Sequence, residues 1–324
     1  MPDAEVRYVE TMNTSATHVT EFVLLGFPGS WKIQIFLFVL FLVFYVLTLL
    51  GNGAIICAVI CDSRLHTPMY FFLGNFAFLE IWYVSSTAPN MLANILSKTK
   101  AISFSGCFLQ FYFFFSLGTS ECFFLTVMAY DRYLAICRPL HYPVIMTRRL
   151  CCILVSSCWL IGFLGYPIPV FSISQLPFCG PNTIDHFLCD MDPLMALSCA
   201  PAPITKLVFY VQNSFFLFFT ITYILRSYIL LLRAVFQVPS AAGRRKAFST
   251  CGSHLAVVSL FYGTVMIMYM SPTYGISTLM QKILTLVYSV MTPLFNPLIY
   301  SLRNSDMKLA LRKVLLGMRI VKKI

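Results

Sequence analysis

Long apolar stretches with few charges alternate with short polar segments along most of the chain. A helix needs about 20 predominantly apolar residues to cross the hydrocarbon of a bilayer. Seven stretches have that length, near residues 35–60, 69–96, 105–133, 150–170, 207–232, 247–270 and 283–302. A short stretch at 304–317 places apolar residues on one helical face and basic residues on another. The pattern predicts an all-α membrane protein, with a seven-transmembrane helix bundle followed by a short amphipathic helix on the membrane surface.

The composition favours lipid as the solvent of the bundle. Hydrophobic residues make up 59% of the 324 residues and charged residues 11%, whereas a soluble domain has about 25% charged and 45–50% apolar residues. We therefore divide the chain into an extracellular N-terminal tail at 1–32, a seven-helix domain at 33–303 with a long loop at about 171–204, and a cytoplasmic tail at 304–324.

The basic residues predict which way the bundle faces. If the N-terminal tail lies outside the cell, 17 of the 23 Lys and Arg residues fall on the cytoplasmic side, together with three acidic residues. Membrane proteins typically carry this excess of positive charge on cytoplasmic loops. The outer tail also contains the sequon Asn13-Thr14-Ser15, which makes Asn13 a candidate glycosylation site. Short basic loops beside a membrane favour anionic lipid as a partner, and nucleic acid is a poor candidate.

Four of the twelve cysteines fall on the predicted outer side, where disulfides form: Cys107, Cys179, Cys189 and Cys199. Four cysteines allow three connectivities, and spacing alone does not choose among them. Three of the four lie in the loop at about 171–204, which we expect to lack strands and helices and to need tethering if it forms a lid. The Asp, His and Cys residues of 185–192 also suggest metal binding, although a disulfide explains Cys189 more simply.

Two acidic residues, Glu80 and Glu121, lie within predicted spans. Carboxylates in hydrocarbon are costly and usually functional. Either the two acids are neutral and bonded to neighbouring hydroxyls, or they share a cation; for the second case we expect a sodium ion, with Asn52 and Asn296 nearby. No other cofactor is expected. Asn296 also precedes Pro297, which breaks the backbone ladder of the last span and allows that helix to bend.

An adjacent acid and base, Asp131 and Arg132, stand where the third predicted span ends, in the sequence MAYDRYLAICRP. At a helix end Arg132 can pair with Asp131 or turn to a partner protein. Tyr223 and Tyr300, each near the same end of its own span, are candidate alternative partners. These features predict a conformational switch at the membrane surface.

The sequence contains no HExxH motif, no GxSxG nucleophile elbow and no phosphate-binding glycine-rich loop. Ser253 and His254 are adjacent, so on a helix their side chains point about 100° apart and do not form a protease pair. We therefore expect no enzymatic activity. A cation transporter or channel that uses the two intramembrane acids is the alternative function, but transporters often contain duplicated halves and this chain has none.

Five segments carry a resemblance to a known family. They are Gly51-Asn52, LHTPMYFFL at 65–73, MAYDRYLAICRPLHY at 128–142, KAFSTCGSHL at 246–255 and PLFNPLIYSLRN at 293–304, in order from the first span to the tail. The chain resembles the olfactory receptors, which are rhodopsin-like G-protein-coupled receptors. Phe261-Tyr262-Gly263 replaces the Trp and Pro of many other rhodopsin-like receptors, as is usual for olfactory members.

Two positions depart from the family pattern. Glu80 stands where Asp is more common, and Ala200-Pro201 replaces the more common polar residues after Cys199. The resemblance implies that Cys107 pairs with Cys189 and that Cys179 pairs with Cys199. The residues that it assigns to G-protein coupling and to the switch are Asp131, Arg132, Tyr133, Tyr223, His254, Asn296, Pro297 and Tyr300.

The resemblance also implies an odorant pocket in the outer half of the bundle. With Arg132 and Pro297 as reference positions, we expect its lining to include Phe114, Phe115, Gly118, Thr119, Leu207, Val211, Tyr262, Val265, Tyr269 and Ser289. This lining is mainly apolar with a few hydroxyls, which suits a small volatile molecule. None of these residues is Lys or Arg, so tight salt-bridging to a carboxylate ligand is not expected. The implied function is an odorant receptor of the plasma membrane, in sensory cilia, that couples to a stimulatory olfactory-type G protein and raises cyclic AMP.

Overall fold

The computed structural model describes residues 19–179, 181–236, 241–270, 277–302 and 305–315. Within these ranges only the backbone is described at 241–251, 253, 269–270, 300–302, 305 and 315. Eight long helical segments make up the fold: α1 Trp31–Cys61, α2 Pro68–Leu96, α3 Phe104–Cys137, α4 Arg148–Gly165, α5 Pro203–Phe236, α6 Ala241–Met270, α7, which comprises Thr278–Leu286, Val287–Met291 and Thr292–Leu302, and α8 Ser305–Leu315. The predicted helical bundle is thus present, and its helices begin and end within several residues of the predicted spans.

Several helices begin at residues whose side chains cap free backbone N–H groups. Ser103 accepts a hydrogen bond from Gly106 N at the start of α3, and Thr147 accepts one from Leu150 N at the start of α4. Ser277 caps α7 in the same way. Pro167 follows the end of α4 and begins a further short helix, Pro167–Ser174. Proline is favoured at the first helical position because its missing N–H would have no partner there.

The bundle is apolar outside, and its polar side chains are buried within a largely apolar interior. Large apolar side chains such as Leu50, Phe215 and Phe219 are exposed on the helix surfaces, whereas Glu80 and Glu121 are completely buried. A hydrocarbon solvent produces this arrangement, because a polar side chain finds partners only among the other helices. The helix α3 lies in the middle and contacts α2, α4, α5 and α6.

Five helical segments of the described chain are long and apolar enough to span a membrane: Trp31–Cys61, Phe104–Cys137, Arg148–Ser174, Pro203–Phe236 and Thr278–Ile299. The α2 helix has sufficient length, but it contains polar residues such as Asn75, Glu80 and Asn90. In α6 the apolar stretch His254–Met268 is shorter. The seven predicted spans therefore coincide with seven helices, and five of these are long and apolar enough by themselves to indicate a membrane span.

A small three-stranded sheet covers one end of the bundle. It contains β1 Glu21–Leu24, β2 Ala101–Ser103 and β3 Thr183–Ile184, in the order β2-β1-β3, with β1 antiparallel to β2 and parallel to β3. We call this the sheet end of the bundle and the opposite end the Arg132 end. The expectation of a loop without strands or helices was wrong, because this loop contains β3 and the short helix Met191–Ala196.

Two disulfides constrain the long loop at the sheet end, one to α3 and one within the loop. Cys107, in the first turn of α3, is bonded to Cys189, and Cys179 is bonded to Cys199. The pairing implied by the family resemblance is confirmed. The described residues contain no group of three or more His, Cys, Asp or Glu side chains placed to hold a metal ion, and the alternative of a metal site at 185–192 has no support.

A buried lysine joins three parts of the sheet end. Lys282 Nζ of α7 lies 2.6 Å from Asp185 Oδ1 of the long loop and donates a hydrogen bond to the Gly26 carbonyl at 2.7 Å. Its side chain is only 4% exposed. A buried ammonium group needs such partners, because desolvation without them is costly. The N-terminal segment, the long loop and α7 are therefore fixed to one another.

The helix α8 packs on the Arg132 end, and its Met307 and Ala310 are fully buried. This confirms the predicted helix after the last span. Lys313 Nζ lies 3.7 Å from Asp62 Oδ2, just beyond α1. Arg64, which donates hydrogen bonds to the same carboxylate, holds the pKa of Asp62 at about 2. Asp62 therefore stays charged and attracts α8 at any physiological pH.

Asp190 caps the short helix Met191–Ala196, and its Oδ1 accepts a hydrogen bond from Met191 N at 2.7 Å. Burial nevertheless raises the pKa of Asp190 to about 7. The neighbouring His186 is also buried, and burial together with the charge of Lys282 lowers its pKa to about 3. The long loop thus contains two titratable groups whose neutral forms are favoured by folding.

We predict that Asp190→Asn removes one pH-dependent component of stability. Because folding raises the pKa of Asp190, the folded protein keeps a proton that the unfolded chain releases, and this contribution falls as the pH rises from about 4 to about 7. Between pH 5 and 7 the fall is about 2 kcal/mol in the free energy of unfolding. The contribution of His186 rises with pH between about 3 and 6.5, but it is present in both proteins and cancels in a comparison. The measurement is therefore the Tm of Asp190→Asn minus the Tm of wild type. This difference should increase as the pH rises to 7, and a difference that stays constant with pH would contradict the prediction.

Candidate functional site

A cavity of about 60 Å³ lies between α2, α3, α5, α6 and α7. Its lining is mostly aromatic and aliphatic, contains no charged residue, and consists of Tyr83, Phe114, Phe115, Gly118, Thr119, Cys122, Tyr210, Asn213, Ser214, Phe216, Leu217, Phe261, Val265 and Tyr288. Small-molecule sites in proteins share this character, with apolar walls and a few fixed polar groups.

A chain of hydrogen bonds lies at one side of the cavity. The Tyr166 hydroxyl donates to Asn213 Oδ1 at 2.7 Å, so the Thr119 hydroxyl, 2.8 Å away, donates to the Tyr166 oxygen. Asn213 Nδ2 donates in turn to the Phe209 carbonyl at 2.8 Å. Three helical segments thus meet through one oriented chain, and its Thr119 and Asn213 members also line the cavity.

The two intramembrane acids lie beside the cavity. Tyr83 lines the cavity and is close enough to interact electrostatically with both Glu80 and Glu121. Asn296 Nδ2 donates a hydrogen bond to Glu80 Oε1. In the described part of the chain, Glu80 Oε2, both Glu121 carboxyl oxygens and Asn296 Oδ1 lack hydrogen-bond partners. Buried oxygens without partners are uncommon in native proteins and require an explanation.

Asn52, the remaining member of the predicted cation site, is bonded elsewhere. Its Nδ2 donates to the Thr48 carbonyl at 3.0 Å and to the Pro293 carbonyl at 3.1 Å. The side chain therefore joins α1 to α7 next to the proline-containing end of α7. This contact gives Asn52 a packing role that does not depend on a cation.

At the Arg132 end, Asp131 and Arg132 have different partners. Asp131 Oδ1 accepts a hydrogen bond from the Tyr142 hydroxyl at 2.7 Å, and no ion pair among the described residues joins Asp131 to Arg132. Arg132 contacts the Met69 sulfur, and its buried Nε has no hydrogen-bond partner within the described residues. Among the described side chains the guanidinium group thus finds only a weak acceptor, and a stronger acceptor would attract it.

His254 of α6 connects three helices near Arg132. Its Nε2 lies 3.1 Å from the Leu125 carbonyl of α3, and its Nδ1 lies 2.7 Å from the Tyr228 hydroxyl of α5. A carbonyl oxygen only accepts, so Nε2 carries the proton and Nδ1 accepts from Tyr228. An outward movement of α6 would break both bonds.

The sequence pattern shared by the family described as olfactory receptor matches residues 41–318. The chain belongs to the olfactory receptor family. Human olfactory receptor 11H4 is 84% identical over 310 residues, which cover 95% of this chain and 96% of the relative. Human olfactory receptor 11H7 is 68% identical over 96% of this chain and 99% of its own length, and human olfactory receptor 11H6 is 68% identical over 94% and 92%.

This olfactory receptor is thus a rhodopsin-like G-protein-coupled receptor and a multi-pass membrane protein with seven transmembrane helices. The predicted fold class and family are confirmed. Family membership also identifies α2 and α6 as membrane spans despite their polar or short apolar stretches. It favours a receptor over both an enzyme and the alternative cation transporter or channel.

The structure brings together five of the residues that were predicted to form the odorant pocket: Phe114, Phe115, Gly118, Thr119 and Val265 line the cavity. Tyr262 is buried near it and its hydroxyl donates to the Cys122 carbonyl at 3.4 Å, while the preceding residue, Phe261, forms the wall. The side chain of Tyr269 lies outside the described residues, as do the side chain of Tyr300 and all of Asn13.

Three residues of the predicted pocket lie elsewhere. Leu207 and Val211 of α5 are exposed on the outside of the bundle, 63% and 58% respectively, because they occupy a different face of the helix from the cavity. Ser289 is buried but donates its hydrogen bond to the Thr285 carbonyl of its own helix. The neighbouring Tyr288 lines the cavity instead: both residues lie in the π-helical turn Val287–Met291, where successive side chains still point in different directions.

Sequence reasoning missed the polar wall that α5 contributes. The residues that line the cavity from α5 are Tyr210, Asn213, Ser214, Phe216 and Leu217, and all but Phe216 follow the spacing of one helical face. Three of the five are polar. Polar residues in a membrane helix generally face the bundle interior, so this polarity was the signal that distinguishes them from Val211.

The other residues predicted for the switch occupy varied environments. Tyr223 packs its ring against Tyr130, with centroids 6.3 Å apart, and Tyr133 is half-buried. Pro297 lies against Gly51, where an added Cβ would approach the proline ring to 3.2 Å. Gly51 therefore permits the close contact of α1 with the proline-containing part of α7. None of the described hydrogen bonds joins Tyr223 to Arg132.

Proposed function

We propose that this olfactory receptor binds a small, uncharged odorant in the cavity between α2, α3, α5, α6 and α7. The observation that carries the proposal is the uncharged cavity with the Thr119–Tyr166–Asn213 chain in its wall. Apolar walls suit a volatile molecule, and the hydroxyl and amide groups suit an odorant with one hydrogen-bonding oxygen. An alcohol, aldehyde, ketone or ester fits this chemistry better than a carboxylate, for which the described cavity wall offers no cation.

The size of the cavity supports a link between binding and conformation. A volume of about 60 Å³ holds only a few water molecules, whereas ligand pockets usually measure about 300–1,000 Å³. An odorant must therefore separate the surrounding side chains and helices. A ligand shifts an equilibrium only when it binds the two states differently, and a cavity that must expand meets this condition.

The Arg132 end supports coupling to a G protein. Expansion around α5 and α6 would break the bonds of His254 to Leu125 and Tyr228, which hold these helices to α3. Arg132, which is poorly bonded in the closed bundle, then becomes accessible to the C-terminal helix of a G-protein α subunit. A stimulatory olfactory-type G protein and a rise in cyclic AMP are the proposed output.

We place the receptor in the plasma membrane of sensory cilia, with the sheet end outside the cell. The excess of basic residues at the Arg132 end supports this orientation. The two disulfides at the sheet end also support it, because disulfides persist in oxidising surroundings. Glycosylation of Asn13 would follow from the same orientation.

The pocket is tested with Thr119→Val and Asn213→Leu in cells that report cyclic AMP, screened with volatile alcohols, aldehydes, ketones and esters. Each change removes a hydrogen bond in the cavity wall, so we expect an approximately tenfold rise in the concentration that gives half-maximal response. Val211→Ala serves as the matched control, because this α5 side chain faces away from the cavity. Equal effects of Val211→Ala and Asn213→Leu at matched surface expression would contradict the proposed pocket.

Coupling is tested with Arg132→Ala. We expect odorant-stimulated cyclic AMP to fall about tenfold or more, because the variant removes a charged donor from the proposed G-protein contact. The control at equal surface expression is Arg138→Ala, which removes an exposed guanidinium group directly after the last residue of α3. If Arg132→Ala signals as strongly as Arg138→Ala, Arg132 is not the coupling residue.

We also propose that Glu80, Glu121 and Asn296 hold a sodium ion. The donor set fits, because their unpaired buried oxygens are hard ligands of the kind that hard cations prefer. Such an ion would supply positive charge between the two acids. The role of the three residues themselves is to hold α2, α3 and α7 in one arrangement beside the cavity.

The sodium proposal predicts that basal cyclic AMP changes when N-methylglucamine replaces sodium at constant ionic strength. Glu80→Gln and Glu121→Gln should each abolish that change, because each removes a negative ligand. Glu21→Gln, which neutralises an exposed acid of β1, should leave it intact. Sodium sensitivity that survives both intramembrane changes would place the ion elsewhere.

A further inference from the structure

A groove of about 590 Å³ lies at the Arg132 end, away from the odorant cavity. It is bounded by the end of α1, the connection from α1 to α2, the start of α2, Met146 and the start of α4. Its volume is ample for part of a lipid-sized molecule. Neither the proposed odorant site nor the proposed coupling residues use this groove.

The walls of the groove are apolar and open to the outside of the bundle. Leu65 and Met146 form a buried floor, while Ile60 and Phe71 at its margins are exposed, 68% and 38% respectively. Exposed apolar side chains beside a membrane span lie in contact with acyl chains. The groove is therefore a recess in the lipid-facing surface near the level where the hydrocarbon ends.

One end of the groove is polar and cationic. Arg148, the first residue of α4, lines it together with His66 and Thr67. No ion pair among the described residues includes Arg148. The Thr67 side chain makes no capping hydrogen bond with α2, and His66 Nε2 lies 3.3 Å from the Ile60 carbonyl. The N-terminal ends of α2 and α4 both face this region, and helix N-termini attract anions.

We propose that the groove binds one anionic phospholipid from the leaflet at the Arg132 end. The phosphate would contact Arg148, with the Thr67 hydroxyl as a further donor, and an acyl chain would lie along Ile60 and Phe71. A soluble anion would pair with Arg148 but leave the apolar walls exposed. A sterol or neutral lipid would cover the walls but leave the guanidinium without a counter-ion, so an anionic phospholipid matches both features.

The experiment uses the full receptor in nanodiscs of phosphatidylcholine with or without phosphatidylglycerol. Native mass spectrometry then counts the phosphatidylglycerol molecules that remain bound after release from the nanodisc. We expect wild type to retain one phosphatidylglycerol molecule more than Arg148→Gln. The affinity of the variant for this lipid should be about tenfold lower, because one charge-assisted hydrogen bond is lost. Phosphatidylglycerol should also raise the Tm of wild type and not that of Arg148→Gln.

Arg149→Gln is the matched control, because Arg149 is the next residue along the chain, is also exposed and does not line the groove. It should retain phosphatidylglycerol like wild type. Equal losses in Arg148→Gln and Arg149→Gln, or no loss in either, would overturn the proposal. If Arg148→Gln does not fold, Thr67→Val takes its place with the same expectation and the same contradicting result. If inorganic phosphate raises the Tm of wild type in nanodiscs of pure phosphatidylcholine, the cationic end of the groove binds a soluble anion. That result would also overturn the proposal.

Discussion

In this receptor the absence of water around the helices determines where every polar group lies. A polar side chain that faces hydrocarbon has no partner, so the polar residues of the spans point inward and bind one another. Thr119 reaches Tyr166, Glu80 reaches Asn296, and His254 reaches Leu125. Each of these contacts joins different helices. The groups that hold the bundle together are therefore the same groups that surround the cavity and the Arg132 end.

Among the described residues the buried polar groups are incompletely bonded, and four of the unpaired atoms belong to the acids and the amide beside the cavity. The unpaired oxygens of Glu80, Glu121 and Asn296 would each cost about 1–3 kcal/mol if they remained without a partner. A site with such a cost is easily altered by a proton, an ion or a small helix movement that supplies a partner. Because Tyr83 lines the cavity and interacts electrostatically with both acids, a ligand that displaces Tyr83 would change the electrostatic surroundings of the acids.

The sequence was sufficient for the features that depend on composition and spacing, and insufficient for those that depend on helix rotation. Apolar length located the spans, and the family resemblance identified the disulfide pairs and the α3 wall of the cavity. Rotation of α5 could not be derived from length, so Leu207 and Val211 were assigned to the wrong face, although the polarity of Asn213 indicated the correct one. The contact of Lys282 with Asp185 and Gly26 was beyond prediction, because it joins residues from three distant parts of the chain.

The two ends of the receptor are held by contacts of different strength, and this difference favours movement at one of them. At the sheet end, the Cys107–Cys189 disulfide joins the long loop to α3, the buried Lys282–Asp185 pair joins it to α7, and the Cys179–Cys199 disulfide closes the loop on itself. At the Arg132 end, α5 and α6 are joined to α3 through the hydrogen bonds of His254, each worth only about 1 kcal/mol net. A ligand that enlarges the cavity would push the surrounding helices apart, both toward the sheet end and toward the Arg132 end. Because a covalent bond and a buried ion pair resist displacement and single hydrogen bonds exchange readily, the proposed expansion of the cavity would separate the helices at the Arg132 end, where the proposed G-protein contact lies.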